Sequence, residues 1–163
     1  MCCRPVVLSE DTAFRRDAKK YLGFLKEMKQ VSKAIITQAD EFLFQLRDDS
    51  SEISYADQWS FFGGEIESGE SPWQALQREL LEELGWHPEK GTYLYQWNNP
   101  QHRGYSVHFF FVPFQGTHDQ LVLGEGQDLG WFTMEQIFWQ AKVAPHVIMH
   151  LQRFQEWSRN EGY

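Results

Sequence analysis

Cysteine is almost missing from this 163-residue chain, which has only Cys2 and Cys3, adjacent near the N-terminus. No disulfide framework, Cys-x-x-Cys redox pair or zinc-finger spacing can be drawn from them. A reducing, cytoplasmic compartment is the expectation. Long apolar runs are lacking too. No stretch approaches the roughly 18 uninterrupted apolar residues of a membrane span, and the first residues do not follow the basic, apolar and small-residue order of a secretion signal. Met1-Cys2-Cys3-Arg4 has no myristoylation glycine and no evident second anchor, so we expect a soluble chain without membrane attachment. Positive charge is scarce: 15 Lys and Arg stand against 23 Asp and Glu, a net charge of -8. That balance excludes broad phosphate neutralisation of the kind duplex DNA binding requires, although a small phosphate ligand reached through metal ions stays open. Internal repeats, a Gly-rich P-loop and a dinucleotide fingerprint are all absent.

Aromatic and aliphatic residues are plentiful. Hydrophobic residues make up 42% and aromatics 16%, with 13 Phe and 7 Trp, enough to bury one core without staples. Between Asp11 and Gln30, residues Phe14, Ala18, Tyr21, Leu25 and Met28 recur at helical spacing and predict a one-sided helix. Its stripe is the surface on which the domain, or a second copy in a homodimer, would pack, the alternative being a regulatory or targeting arm. Lys33–Gln38 and Phe42–Arg47 read as a hairpin about Ala39-Asp40-Glu41, followed by a polar loop over 48–57. Trp59–Phe62 reads as an aromatic strand ending at Gly63-Gly64. Ser71-Pro72 opens a helix whose apolar face is Trp73, Leu76, Leu80 and Leu84, and Gly85 stops it. Further strands are expected at Thr92–Trp97, Tyr105–Phe114, Gln120–Leu123 and Gly130–Thr133, with helices at Met134–Ala141 and Pro145–Trp157. Hairpins interleaved with separated helices predict one layered α/β or α+β domain.

The acidic charge is concentrated. Between Glu65 and Lys90 lie seven Glu, with only Arg78 and Lys90 as Lys or Arg. On a helix at about 100° per residue, Glu82 and Glu83 sit at about -60° and +40° from Glu79, so three carboxylates share a face. Leu76, Leu80 and Leu84 fall at about 60°, 100° and 140°, placing the anionic ridge beside the buried stripe. Like charges at these spacings cost about 0.2–0.5 kcal/mol per pair, which a cation preferring hard oxygen ligands would offset. With no Cys or His among the acids, Mg²⁺ or Mn²⁺ is the natural ion.

The segment from Gly64 to Trp86 resembles the signature of the Nudix hydrolases, matching at Gly64, Glu70, Arg78, Glu79, Glu82, Glu83 and Gly85. Trp86 takes an apolar slot where an aliphatic residue is more usual. The resemblance implies an α/β/α sandwich with a mixed sheet between helices, which we expect over residues 32–159; the N-terminal stripe makes 1–31 a helical extension, and 160–163 are a short tail. It implies a divalent-metal-dependent enzyme cleaving a nucleoside diphosphate linked to another group X, a (deoxy)nucleoside triphosphate or a nucleotide-sugar. By position, Glu79, Glu82 and Glu83 resemble the metal-binding carboxylates, with the Gly63 carbonyl as a further ligand. Glu70 and Arg78 resemble the pair that braces the loop and orients Glu79. Glu82 is one candidate general base. Glu125, in Leu123-Gly-Glu-Gly-Gln127, resembles a downstream acid that serves as metal ligand or base, the alternative being an ordinary turn acid.

Other candidates are weaker individually. Arg47, at the end of a strand, is placed to face substrate phosphates or to pair with Asp48 or Asp49. Trp59, Tyr95 and Trp97 are candidates to stack on a nucleobase or to fill the core. Asn98, Asn99, His102 and Arg103 form a polar loop suited to reading a base edge. His146 and His150 have zinc-ligand spacing, but Val147 replaces the glutamate of a His-Glu-x-x-His site, which points to a structural role. Two other readings come from different classes. One is a catalytically weak Nudix-fold nucleotide sensor, for which three costly glutamates would be superfluous. The other is an isoprenoid diphosphate isomerase, which needs a Cys and Glu pair inside the domain.

Overall fold

The computed structural model describes residues 28–52, 54–98, 104–139 and 142–162. The expected N-terminal helix, up to its last residues, lies outside them, as do Asn99, His102 and Arg103.

The chain runs β1 (Lys29–Gln38), β2 (Glu41–Leu46), β3 (Trp59–Ser60), α1 (Pro72–Leu84), β4 (Thr92–Asn98), β5 (Tyr105–Pro113), β6 (Asp128–Thr133), α2 (Met134–Trp139) and α3 (Pro145–Glu161). The β1–β2 hairpin forms as expected, with Ile36 opposite Leu43. β5 joins β1 in parallel and β4 joins β5 antiparallel, making the sheet mixed. β6 lies along the other edge of β2, with Phe42 opposite Phe132.

Away from their turn, β1 and β2 part, and residues 59–66 fill the gap. β3 pairs with the end of β2. Beyond it the chain crosses to β1, where the Ala34 and Ser32 amides donate to the carbonyls of Phe62 and Gly64 and the Ile66 amide donates to Gln30. This crossing carries Gly63-Gly64 into the middle of the sheet's end.

The core has two halves, one on each face of the sheet. Leu76, Leu80 and Leu84 of α1 bury against Ala34, Ile36, Leu43 and Val112. Val147, Leu151 and Phe154 of α3 bury against Ile35, Phe44, Phe61 and Phe109. The α/β/α layering follows, since each strand alternates its side chains between two apolar faces.

Local chemistry sets the limits of α1 as expected. The Ser71 hydroxyl accepts from the Gln74 amide, the Gln74 side chain returns the bond to Ser71, and Pro72 starts the first turn. Gly85 ends the helix at φ +63°. The strand expected at Gln120–Leu123 does not form. That stretch is a 3₁₀ turn at His118–Gln120 followed by irregular chain. The amides of Gln120 and Leu121 close the local turn, while Val122 donates to the Leu84 carbonyl and Gly124, just beyond the stretch, to Glu83, satisfying acceptors that the end of α1 leaves unpaired. β1 also begins four residues earlier than expected, which moves Lys33 from the strand's end to its middle.

Candidate active site

The site assembles where α1 meets the Gly63-Gly64 crossing. Gly63 has φ +109°, and a Cβ there would lie 2.3 Å from the Ser32 carbonyl oxygen. A Cβ on Gly64 would lie 2.4 Å from the carboxyl carbon and both oxygens of Glu79. Two glycines thus let a strand, a turn and a carboxylate meet where no side chain fits.

Arg78 organises the outer half. Its Nε and Nη2 donate to the two Glu70 oxygens at 2.9 and 3.1 Å, a two-pronged pair. Nη1 reaches Glu79 Oε1 at 2.9 Å and Glu82 Oε2 at 3.3 Å. Nη2 also donates to the Glu65 carbonyl at 3.0 Å, while Glu70 accepts from the Glu67 amide. The Arg78 guanidinium and that amide hold the Glu70 carboxyl below its usual range. One cation therefore ties the loop to α1 and two of the three signature acids to each other.

The inner half is buried. Glu83 is 6% exposed; its Oε2 accepts from the Gly63 amide at 2.7 Å and its Oε1 from Gln45 Nε2 at 3.4 Å. Burial pushes its carboxyl up, with the charges of Glu79 and Glu125 adding to the rise and Lys33 and the Gly63 amide opposing it. Lys33, from the middle of β1, donates to the Gly63 carbonyl. Burial pushes its amine down, against the pull of Glu83 and Glu79. Gln45 also binds the Glu125 carbonyl at 3.0 Å, anchoring the 123–127 loop beside the end of α1. The Glu125 side chain is exposed.

From Lys33 and Gly63 an open cleft of about 410 Å³ runs over Arg47, Ser60, Tyr55, Trp97, Phe109 and His146, a size suited to a small ligand. Tyr55 and His146 lie 5.0 Å apart by ring centroid. Beneath them His150 is fully buried; its Nδ1 meets the Tyr95 hydroxyl at 3.0 Å, and Nε2 has no partner among the described residues.

Several expected residues meet here. Gly63, Gly64, Glu70, Arg78, Glu79, Glu82, Glu83 and the Glu125 loop lie along one flank of α1, and Arg47 and Trp97 line the cleft. Arg47 makes neither ion pair considered for it: its Nε binds the Ser54 carbonyl at 3.0 Å. Trp59 is not brought to the cleft, since its ring packs edge-on against Phe132 at 4.8 Å. Tyr95 is held by His150 and lies under the Arg153 guanidinium. Asn98 accepts from Ser106 Oγ at 2.8 Å on the sheet edge, away from the cleft wall. His146, expected to be structural, lines the cleft. Sequence reading missed Lys33, Gln45, Ser60 and Tyr55. The signal for the first two was a polar residue at an inward position of an apolar strand, which costs free energy unless satisfied.

The donor atoms suit a hard divalent cation: three carboxylates and a backbone carbonyl, without sulfur or imidazole. Buried Glu83, with no cation within ion-pair distance among the described residues, is the group such an ion would relieve. The acids are not gathered about one point, however; among the described residues no three His, Cys, Asp or Glu side chains form a metal cage. Arg78 holds Glu79 and Glu82 while Glu83 turns inward to Gly63, so enclosing an ion requires the side chains to shift.

Residues 28–152 match the NUDIX domain profile. The CTP pyrophosphohydrolase of Escherichia coli (strain K12) is 36% identical over 128 residues, covering 78% of this chain and 92% of that protein. The solution structure of the E. coli ORF135 protein has a TM-score of 0.62 and 32% identity, covering 80% of this chain and 90% of that one. The crystal structure of the MutT protein from Methanosarcina mazei Go1 has a TM-score of 0.69 at 21% identity, covering 80% and 95%; that likeness concerns the fold alone. The chain belongs to the Nudix hydrolase family. It is a hydrolase of pyrophosphate bonds, in a family that generally uses divalent metals.

Proposed function

We propose that this protein is an Mg²⁺- or Mn²⁺-dependent pyrophosphohydrolase of nucleoside triphosphates, cleaving a phosphoanhydride bond with the base held in the aromatic cleft. The observation that carries this reading is the junction at Gly63. The acids of α1 meet there the mouth of a cleft that has cations at its entrance and aromatic rings along its wall. The CTP pyrophosphohydrolase relative supports a triphosphate over a nucleotide-sugar.

In this reading Glu79, Glu82, Glu83 and the Gly63 carbonyl hold the metal. When bound, the metal supplies charge neutralisation for the diphosphate and lowers the pKa of a water nucleophile. Arg78 keeps Glu79 oriented through its second contact to Glu70. Glu83 has both oxygens engaged, by the Gly63 amide and Gln45, so proton acceptance falls to Glu82 or Glu125, which are exposed. Arg47 and Lys33 meet the phosphates, and Trp97 and Tyr55 face the base and sugar. Positioning and electrostatics account for most of the rate.

The test is a panel of ribo- and deoxynucleoside triphosphates, oxidised purine triphosphates and nucleotide-sugars, assayed with Mg²⁺ or Mn²⁺ while phosphate and pyrophosphate release are followed separately. Metal-dependent release of pyrophosphate and a nucleoside monophosphate is expected. Turnover of nucleotide-sugars alone would reject the triphosphate assignment.

A further inference from the structure

Lys33 is a charged group that neither the signature nor the cleft's aromatic lining accounts for. It sits in the middle of β1, opposite Phe109 in the parallel register with β5, on a strand whose neighbouring residues Ser32, Ala34, Ile35 and Ile36 are fully buried. An ammonium at such a position costs free energy unless its charge is met. Its hydrogen-bond acceptor is the Gly63 carbonyl, and Glu83 and Glu79 act on its charge. Its other side opens on the cleft, which Arg47 also lines.

The Gly63 carbonyl is thus claimed twice. In the reading proposed above it is a ligand to a divalent cation, and in the structure it is the acceptor of Lys33. An ammonium and a dication crowded onto one carbonyl oxygen repel strongly in a partly buried site. We propose that Lys33 and the divalent metal use Gly63 in alternation: metal displaces the ammonium into the cleft, where it binds a phosphate of the nucleotide. Lys33 is then a substrate-positioning residue that couples metal to nucleotide. The metal alone must displace a resident cation, whereas a nucleotide arriving with it gives that cation a new anionic partner. By reciprocity, each ligand tightens the other.

This inference rests on the metal-dependent reading and is tested by binding as well as turnover. Mn²⁺ affinity is measured by electron paramagnetic resonance of free Mn²⁺, with and without a non-hydrolysable nucleoside triphosphate analogue, on wild type, Lys33→Met and Lys33→Gln. Without nucleotide both variants are expected to bind Mn²⁺ more tightly than wild type, by about fivefold or more. Adding the analogue should strengthen Mn²⁺ binding in wild type and much less in the variants, while KM for nucleotide rises more than kcat falls. If Lys33 merely braced the Gly63 turn, the variants would lose thermal stability and bind Mn²⁺ equally or more weakly, which would overturn the proposal. Lys33→Gln retains a donor for the Gly63 carbonyl, and so gives the charge effect even if Lys33→Met disturbs the fold. Wild-type protein that binds no Mn²⁺ with or without the analogue would defeat the metal-dependent reading and this inference together; unchanged affinity in folded variants would defeat only the latter.

Discussion

The two halves of the site treat charge in opposite ways. Outside, Arg78 meets Glu70, Glu79, Glu82 and the Glu65 carbonyl. Its donors are nearly used up, and solvent screens the negative charge that three carboxylates leave around one guanidinium. Inside, Glu83 is buried and Lys33 half-buried, each with its charge disfavoured by burial, and no ion pair joins them. In that cluster Arg78 and Glu70 act as scaffolding for Glu79 and Glu82. An under-neutralised pair beside a carbonyl is where an added ion or phosphate gains most, because interactions there are least screened.

The comparison breaks most sharply at Glu83. Glu83→Gln keeps the shape and the acceptor for the Gly63 amide but removes the inner negative charge. Metal-dependent turnover should fall by more than the roughly 10–100-fold typical of losing an outer-shell partner, without a lower melting temperature. Stability can rise slightly, since the buried charge that folding disfavours is gone. Steady-state kinetics with a thermal melt decides it, and wild-type turnover in the variant would remove Glu83 from the metal-binding set.

Arg78→Lys probes the outer half. Lysine cannot reproduce the two-pronged contact with Glu70 while also reaching Glu79, so kcat/KM should fall about 10–100-fold. The metal concentration for half-maximal rate should rise. The stability loss should stay within about 1 kcal/mol, because such partly exposed ion pairs contribute little. A large stability loss with unchanged kinetics would reverse the assignment of the two halves.

The smallest effect on turnover lies under the cleft. Burial, aided by the charges of His146 and Arg153, pushes the His150 imidazole down to about 3. Between there and the ordinary histidine value of about 6.5, the unfolded chain binds a proton that the folded chain refuses. The stability conferred by neutral His150 is therefore complete above about pH 6.5 and is lost as the pH falls toward 3, by up to about 1.4 kcal/mol per pH unit. Denaturant titrations from pH 7 to 4 should show this decline in wild type. The decline should be shallower in His150→Leu, and an equal slope in both would place the titrating group elsewhere.

Legibility followed the range of the interactions involved. α1 was readable to the residue because Ser71 and Pro72 at its start and Gly85 at its end each act on backbone only a few positions away. The edge position of Glu83 also followed from helical geometry, since about 40° from Glu79 puts it next to the leucine stripe. Gln120–Leu123 misled because its three consecutive apolar residues suit a short strand, but the amides of Val122 and of Gly124 just beyond it cap the end of α1, a partner distant in sequence. That capping seats the loop beside Glu82 and Glu83, so the misread segment is the one that delivers Glu125. Trp59 was ambiguous for a related reason. An aromatic ring looks the same in sequence whether it faces a ligand or Phe132.

Local chain chemistry determined the limits of α1, the shared face of its acids and the motif from Gly64 to Trp86, each a matter of spacing along one helix or turn that the order of residues specifies directly. The brace between Glu70 and Arg78 and the mixed sheet followed only from the resemblance which that motif carries. Tertiary structure alone decided that β1 and β2 part to admit Gly63-Gly64, that Glu83 turns inward, and that Lys33 meets the Gly63 carbonyl 30 residues away. Those contacts join strands with no fixed relation in sequence, and burial, which sets the energy of every charge among them, belongs to the folded chain as a whole.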